Sequence, residues 1–267
     1  MWVSPVIRSQ DAGQDTVIFR WTTILARWTL GVAFVSWRYL WATTPLHRSV
    51  VAGDATDLPP PLPDELVDDR SQLPEHGVGP LFHRLFVVEI EGSPLNAAQL
   101  IDTVSTELDH TVPAEVTTVD QIRGIPGELA VGDEVVVRIP GPWDGPVRVV
   151  HRTSTSFRFA TLVGHLEAGQ IEFRARPQGS RLRFEIDAWA RPSSGAIDLL
   201  YSHLRLAKEI QLNMWVRFCL TATARVGGRA RGGVTIRTRV VEWPHRESGV
   251  AKRVSSYPFI DVATRTR

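Results

Sequence analysis

The stretch GAIDLLYSHLRLAKEIQLNMWVRFCLTATARV, residues 195–226, decides the fold. Its apolar side chains recur at steps of three and four residues, the spacing of one face of an α-helix. Ser193 or Ser194 can cap this helix, and Gly227 with Gly228 can end it. The pattern predicts a helix of about eight or nine turns with one apolar face. The face comprises Ile197, Leu200, Leu204, Ala207, Gln211, Met214, Trp215, Phe218 and Ala222.

The region before this helix reads mostly as β-strands separated by Gly, Pro or Ser. The expected strands are LFHRLFVVEI (81–90), GDEVVVRIPGP (132–142), GPVRVVHRT (145–153), TSFRFATLVG (155–164), GQIEFRARP (169–177) and SRLRFEIDAWARP (180–192). A helix over 93–109, capped by Ser93, separates the first strand from the others. Alternation places Ile171, Phe173 and Phe184 on an apolar face, and Glu172, Arg174, Arg183 and Glu185 on a charged face that we expect to be solvated. On that charged face, Glu172 and Arg174 can pair with Arg183 and Glu185 across the strands.

An apolar sheet face must be buried, and the helix at 195–226 is the only predicted element long enough to cover it. The predicted fold is therefore α+β: a curved antiparallel sheet wrapped around a long C-terminal helix. The order of one strand, one helix, five strands and a long helix is that of a helix-grip fold.

The chain divides into four predicted regions. Residues 1–50 form an N-terminal extension rich in Trp and Arg, and 51–76 an acidic, proline-rich linker. Residues 77–228 form the helix-grip domain, and 229–267 an arginine-rich tail. Within the extension, 17–44 reads as an amphipathic helix with one stripe of arginines. This helix either docks on the domain or lies in a membrane interface with its tryptophans at headgroup depth.

Composition excludes several classes of function. The formal net charge of the 267 residues is +1, so no overall field attracts nucleic acid, and no nucleic-acid partner is expected. The single cysteine, Cys219, allows neither an internal disulfide nor a cysteine-based zinc site. We expect no metal and no cofactor. The N-terminus lacks the pattern of a signal peptide, which favours a cytoplasmic protein, with peripheral membrane association if 17–44 binds a membrane surface.

The segment ATLVGHLEAGQIEF, residues 160–173, places His165 and Glu167 in the turn between two strands. Gly164 and Gly169 bracket the pair and permit a tight turn. Three interpretations remain open: a polar turn held by backbone hydrogen bonds, a ligand contact at a cavity rim, or a general base oriented by a carboxylate.

These residues carry a resemblance to a known family. From about residue 77 to 228 the chain resembles the family called domain of unknown function 1990, grouped with START-like and polyketide-cyclase-like helix-grip proteins. GELAVGDEVVVRIPGP, GPVRVV and ATLVGHLEAGQIEF carry the likeness, with Gly164, His165, Glu167, Gly169 and Phe173 matching its motif. Leu166 stands where the family often has proline, and Gln170 with Ile171 replace an acidic pair. The wider superfamily implies a cavity between sheet and helix for an apolar or amphipathic small molecule.

The favoured hypothesis is a binder of a hydrophobic or amphipathic small molecule. Its candidate ligand contacts are His165, Glu167, Phe173, Met214, Trp215 and Phe218. One alternative is a cyclase-like or hydrolase-like enzyme acting on such a ligand, with His165 as base and Glu167 as its orienter. A second alternative is a protein that acts at an anionic membrane surface through 17–44.

Overall fold

The computed structural model describes residues 46–111, 118–138, 144–194 and 206–243. The helix predicted at 17–44, the first part of the helix predicted at 195–226, and the tail after 243 lie outside the described residues.

The centre of the fold is a sheet of nine strands in the order β1-β9-β2-β8-β7-β6-β5-β4-β3. Strand β1 pairs with β9 in parallel, and the other neighbouring pairs are antiparallel. The sheet is therefore mixed, whereas the sequence predicted an antiparallel one. The strands are β1 Leu46–Ala52, β2 Leu81–Glu91, β3 Thr118–Arg123, β4 Glu134–Arg138, β5 Asp144–Arg152, β6 Ser156–Thr161, β7 Glu167–Gln178, β8 Arg181–Pro192 and β9 Arg229–Val241.

Three α-helices accompany the sheet in the described residues: α1 Ala97–Thr106, the short α2 Leu108–Thr111, and α3 Leu206–Arg225. Asn96 caps α1, because Asn96 Oδ1 accepts from the Gln99 amide at 3.0 Å and Gln99 Oε1 accepts from the Asn96 amide at 2.9 Å. Ser93 was predicted for this role. Its hydroxyl instead donates to the Val226 carbonyl at 2.8 Å and so joins the start of α1 to the end of α3.

Helices α1 and α3 pack on one face of the sheet, called here the inner face. The core contains the apolar residues of β2, β5, β6, β7, β8 and β9 that the alternation places on this face, together with Leu100, Ile101 and Val104 of α1. From α3 it receives Leu212, Val216, Phe218, Cys219, Ala222 and Val226. The predicted α+β class and the packing of a long helix on the sheet are confirmed.

The chain after α3 continues the sheet. Residues 229–241, expected to belong to a tail, form β9, which pairs with β2 along its whole length. The charged side chains of β9, such as Arg237 and Arg239, are exposed, whereas Val234 and Ile236 enter the core. The arginine-rich composition thus led to the prediction of a tail, although the segment is a strand with one apolar face. Within the described residues, no helix is long and apolar enough to cross a membrane.

The opposite, outer face of the sheet is covered by residues 53–80, called here the strap, which contains most of the predicted linker. It begins at Gly53, whose amide donates to the Val240 carbonyl at 2.9 Å, and it ends where the Val78 amide donates to the Pro192 carbonyl at 2.8 Å. Between these points, Gln170 donates to the Pro60 carbonyl at 2.9 Å. An extended proline-rich chain leaves carbonyl groups unpaired, and side chains of the sheet satisfy them.

Ion pairs fasten the acidic residues of the strap to arginines of the sheet. Arg148 donates to Asp68 at 2.8 Å, to Glu134 at 2.9 Å and to the Leu66 carbonyl at 3.0 Å. The hydrogen bond from Arg148 lowers the pKa of Asp68 to about 2. Arg70 of the strap pairs with the same Glu134.

The charged outer face is therefore buried over much of its area, whereas the sequence predicted a solvated face. Arg148, Arg158, Glu172 and Glu185 are all at most 9% exposed. The strap explains the difference, since the alternation of a strand identifies a polar face but not what covers it. The predicted cross-strand pairing on this face is present, because Arg174 Nε donates to Glu185 Oε2 at 3.2 Å.

Candidate ligand-binding face

Aromatic rings occupy the middle of the inner face, between the sheet and α3. Phe173 of β7 lies at their centre, with ring centroids 4.7 Å from Phe157, 5.1 Å from Phe218 and 5.8 Å from Trp215. Phe184 of β8 stacks on Phe218 at 6.3 Å. The alternation of β7 and β8 explains this arrangement, since it turns every second residue toward the helix.

Two of the predicted ligand contacts are core residues. Phe173 is 2% exposed and Phe218 is fully buried, so both rings are in contact with neighbouring aromatic rings. In this structure these two rings therefore present almost no free surface to a ligand.

Trp215 and Met214 are in a different situation, because both are only partly buried. At 100° per residue, Trp215 lies about 40° from Cys219 and about 60° from Leu212 on the helix circumference. It is therefore within the stripe of α3 that packs on the sheet, yet it keeps exposed surface. Its ring meets Phe218 edge to face at 5.8 Å. An aromatic surface at the inner face thus remains accessible beside the core.

Other partly buried apolar side chains border the same core. Ile171 precedes Phe173 by two residues on β7, and Val119 lies on the edge strand β3. Leu108 of α2 also packs against the core without being fully buried. These side chains could enlarge the apolar surface that Trp215 presents.

His165 and Glu167 lie in the turn between β6 and β7, as predicted. Gly164, with φ of +102°, makes the turn possible, because few other residues adopt this backbone conformation. The Glu167 amide donates to His165 Nδ1 at 2.9 Å, so the backbone of Glu167 orients the imidazole. Gln72 of the strap donates to the carbonyls of His165 and Glu167 at 2.8 and 2.6 Å.

The surroundings of His165 favour the neutral ring. Burial lowers the pKa of His165, against the opposing influence of the Glu167 carboxylate and backbone. The ring also lies close to Gly145, where a Cβ atom would be 3.2 Å from His165 Nε2. A neutral imidazole with Nδ1 accepting a hydrogen bond can still act as a donor through Nε2.

The turn and the aromatic cluster are separate places. Glu167 begins β7 and Phe173 follows six residues later, about 20 Å along an extended strand. His165 and Glu167 contact the strap through Gln72, whereas Phe173, Trp215 and Phe218 contact one another on the inner face. The predicted contact residues therefore do not form one site.

The remaining reactive groups offer no second centre in the residues described. Cys219 is fully buried, and burial raises the pKa of its thiol, so it is a core residue. Among the described residues, no group of three or more His, Cys, Asp or Glu side chains could hold a metal ion.

Solved structures with a related arrangement share little sequence with this chain. The crystal structure of Ara h 8.0201 has a TM-score of 0.39 and 10% identity, covering 54% of this chain and 97% of that one. Major latex-like protein 151 from Panax ginseng has a TM-score of 0.35 and 13% identity, covering 49% and 94%. The di-domain ARO/CYC StfQ from the steffimycin biosynthetic pathway has a TM-score of 0.43 and 9% identity, covering 55% and 51%.

No curated protein matches the chain. Residues 113–222, a range that contains β3 to β8, the His165 turn and part of α3, match the family described as Domain of unknown function (DUF1990). The family that the motif of residues 160–173 indicated is thereby confirmed, and this part of the chain is a DUF1990 domain.

Proposed function

We propose that the protein binds a hydrophobic or amphipathic small molecule between the inner face of the sheet and α3, without catalysing a reaction on it. The observation that carries the proposal is the partial exposure of Trp215. This side chain lies in the packing stripe of α3 and touches Phe173 and Phe218, yet it is only partly buried. Binding sites for small molecules are mostly lined by apolar and aromatic side chains of this kind.

The chemistry of the inner face also supports binding rather than catalysis. The rings around Trp215 carry no group that could transfer a proton, and the thiol of the neighbouring Cys219 is fully buried. The one histidine that the sequence connected with catalysis, His165, is oriented by backbone groups in a turn against the strap. Its hydrogen bonds support a structural role for the turn.

The test compares two tryptophans on opposite faces of the sheet. Trp215→Ala removes the proposed contact, and Trp243→Ala removes a partly buried tryptophan that packs with Trp189 and Val241 on the outer face. The affinity of each variant for the apolar fluorescent probe 1-N-phenylnaphthylamine is measured by titration, after far-ultraviolet circular dichroism has shown that both are folded.

The proposal predicts saturable binding to the unaltered protein, a Kd at least about tenfold higher for Trp215→Ala, which is 1.4 kcal/mol, and little change for Trp243→Ala. Equal effects of the two substitutions would contradict it, and so would the lack of saturable binding. Native mass spectrometry of the purified protein provides the identity of any ligand that remains bound during purification.

A further inference from the structure

The outer face contains a histidine that holds two carboxylates from different elements. His83 of β2 bonds to Asp57 of the strap through Nδ1 at 3.0 Å and to Asp187 of β8 through Nε2 at 2.7 Å. Its ring stacks on Trp189, with centroids 5.2 Å apart and planes within 12°. The side chain of Asp57 is 4% exposed and that of His83 is 17% exposed, so water screens these contacts only weakly.

Both ring nitrogens can donate at once only when the imidazole is protonated. A neutral ring has one N–H group and one lone pair, and here the lone pair would face a carboxylate oxygen. Loss of the proton therefore removes one of the two hydrogen bonds and replaces it with a repulsive contact.

The charges around His83 come from four elements. Asp57 and Asp187 are the two anions. Arg239 of β9, the register neighbour of His83, donates to Asp57 Oδ1 at 3.1 Å, and Arg174 of β7 lies 3.5 Å from Asp187 Oδ2. Arg174 also pairs with Glu172 at 3.5 Å and Glu185 at 3.2 Å, so the two arginines offset only part of the negative charge. Protonated His83 therefore adds a positive charge next to both anions, and the ring is the only one of these groups that titrates near neutral pH.

Asp57 is the partner that is easier to release. Asp187 is fixed within the sheet by the pairing of β8 with β2 and β7, and its bond to His83 is the shorter. Asp57 belongs to the strap, where it ends a single 3-10 turn, Ala55–Asp57, and accepts from the Asp54 amide at 3.0 Å, and its other cation, Arg239, is half exposed. When His83 loses its proton, the contact with the strap is the one that should break.

We propose that the Asp57–His83–Asp187 contact is a proton-controlled clasp that fastens the first part of the strap to the outer face. With the clasp closed, the strap is held over buried residues of the outer face, among them Gln170 and Trp189. With the clasp open, the segment from Asp54 to about Pro61 detaches locally, and the rest stays fastened through Arg148.

The direction of the pH dependence follows from the surroundings. Burial opposes the charged ring, but the hydrogen bonds and charges of Asp187 and Asp57 outweigh it and raise the pKa of His83 above 6.5. The clasp is then fully closed below pH 6.5 and opens as the pH rises through the raised pKa. At alkaline pH the His83 contact therefore no longer stabilises the attachment of the strap to the sheet.

Hydrogen exchange of the full chain from pH 6 to 9, corrected for intrinsic rates, tests the clasp. In the unaltered protein, exchange in residues 54–62 should accelerate with pH, by up to about tenfold for each unit by which folding raises the pKa of His83. His83→Gln keeps a neutral donor of similar reach, and should give rapid exchange in this segment at every pH. His110→Gln, at an exposed histidine of α2, should behave like the unaltered protein.

Peptides from β8 and α3 show in the same experiment whether a variant is folded. A pH-independent segment in the unaltered protein, or an unaltered pH dependence in His83→Gln, would overturn the proposal. Titration of the His83 ring by NMR in the unaltered protein is the second measurement. A pKa below 6.5 there would overturn it as well, whatever the stability of the variant.

Discussion

Replacement of Phe218 by alanine tests the packing of α3 on the sheet. The ring is fully buried and contacts Phe173 at 5.1 Å, Trp215 at 5.8 Å and Phe184 at 6.3 Å. Phe→Ala substitutions in protein cores cost about 3 to 5 kcal/mol. The upper part of that range applies here, because each aromatic pair contributes about 0.5 to 1.5 kcal/mol beyond the buried area. For a domain of this size, the Tm should fall by roughly 6 to 20 °C.

The assay is urea unfolding followed by far-ultraviolet circular dichroism, with equal slopes required before free energies are compared. Phe218→Leu is the matched control, since it keeps an apolar side chain but loses the ring contacts, and it should recover roughly half of the loss. A cost below about 1 kcal/mol for Phe218→Ala would show that the ring is not a core residue. The packing of α3 on the inner face would then be refuted.

Four further predictions follow from individual contacts. Cys219 should react with iodoacetamide only as fast as the protein unfolds, since burial raises its thiol pKa; rapid reaction with the native protein, followed by mass spectrometry, would contradict this. Gly169→Ala should destabilise the protein or prevent folding, because the new Cβ would lie 1.9 Å from the Trp189 carbonyl oxygen; an unchanged Tm would show that the strands separate there easily. His165→Ala should lower the free energy of unfolding by about 1 to 3 kcal/mol through loss of the bond from the Glu167 amide, while probe affinity changes little; the reverse outcome would favour a role in binding. Burial opposes the charged form of Glu134, but Arg70 and Arg148 outweigh it and lower the pKa of this carboxyl, so the ionised carboxylate stabilises the fold above pH 4.5 and this stabilisation is lost as the pH falls through the lowered pKa. Glu134→Gln should therefore make the free energy of unfolding, measured in urea, depend less on pH in the acid range. The same pH dependence in the variant and the unaltered protein would contradict this role of Glu134.

The sequence predicts the inner face well, because the residues of this face follow the local periodicity of strands and helices. Alternation in β7 and β8 identifies Phe173 and Phe184 as core residues, and both are buried. The helical period also predicts α3, but it places Met214 on the buried face and omits Leu212, which the structure buries. A stripe read from apolar residues alone can be rotated by part of a turn, since the period does not show which residues face the sheet.

The strap could not be predicted, because its contacts are distant in the sequence. Arg148 and Asp68 are separated by 80 residues, and His83 and Asp187 by 104. The acidic and proline-rich composition of the strap is also that of a solvated linker. Only the position of the arginines on the outer face, known once the strands are paired, shows that the acidic residues have partners.

The candidate site was predicted in part. The turn with His165 and its backbone hydrogen bonds is as expected, since the turn needs a positive φ and the sequence places a glycine, Gly164, where one is needed. The residues predicted as one set of ligand contacts lie in two places. Residues that are close together in a motif can be far apart in space when the chain between them is an extended strand. From the sequence, His83 is only a single histidine without a metal-ligand spacing, and such a residue in a strand gives no functional signal until its neighbours are known.

The most direct test of ligand binding at α3 is paramagnetic broadening in NMR spectra. The probe is stearic acid with a nitroxide on its chain, added to protein whose tryptophan indoles carry nitrogen-15. The indole signal of Trp215 should broaden strongly at a stoichiometric probe concentration and recover when ascorbate reduces the nitroxide, whereas that of Trp243 on the outer face should remain sharp. Broadening of Trp243 and Trp215 to the same extent, or of neither, would contradict a binding site between the inner face and α3.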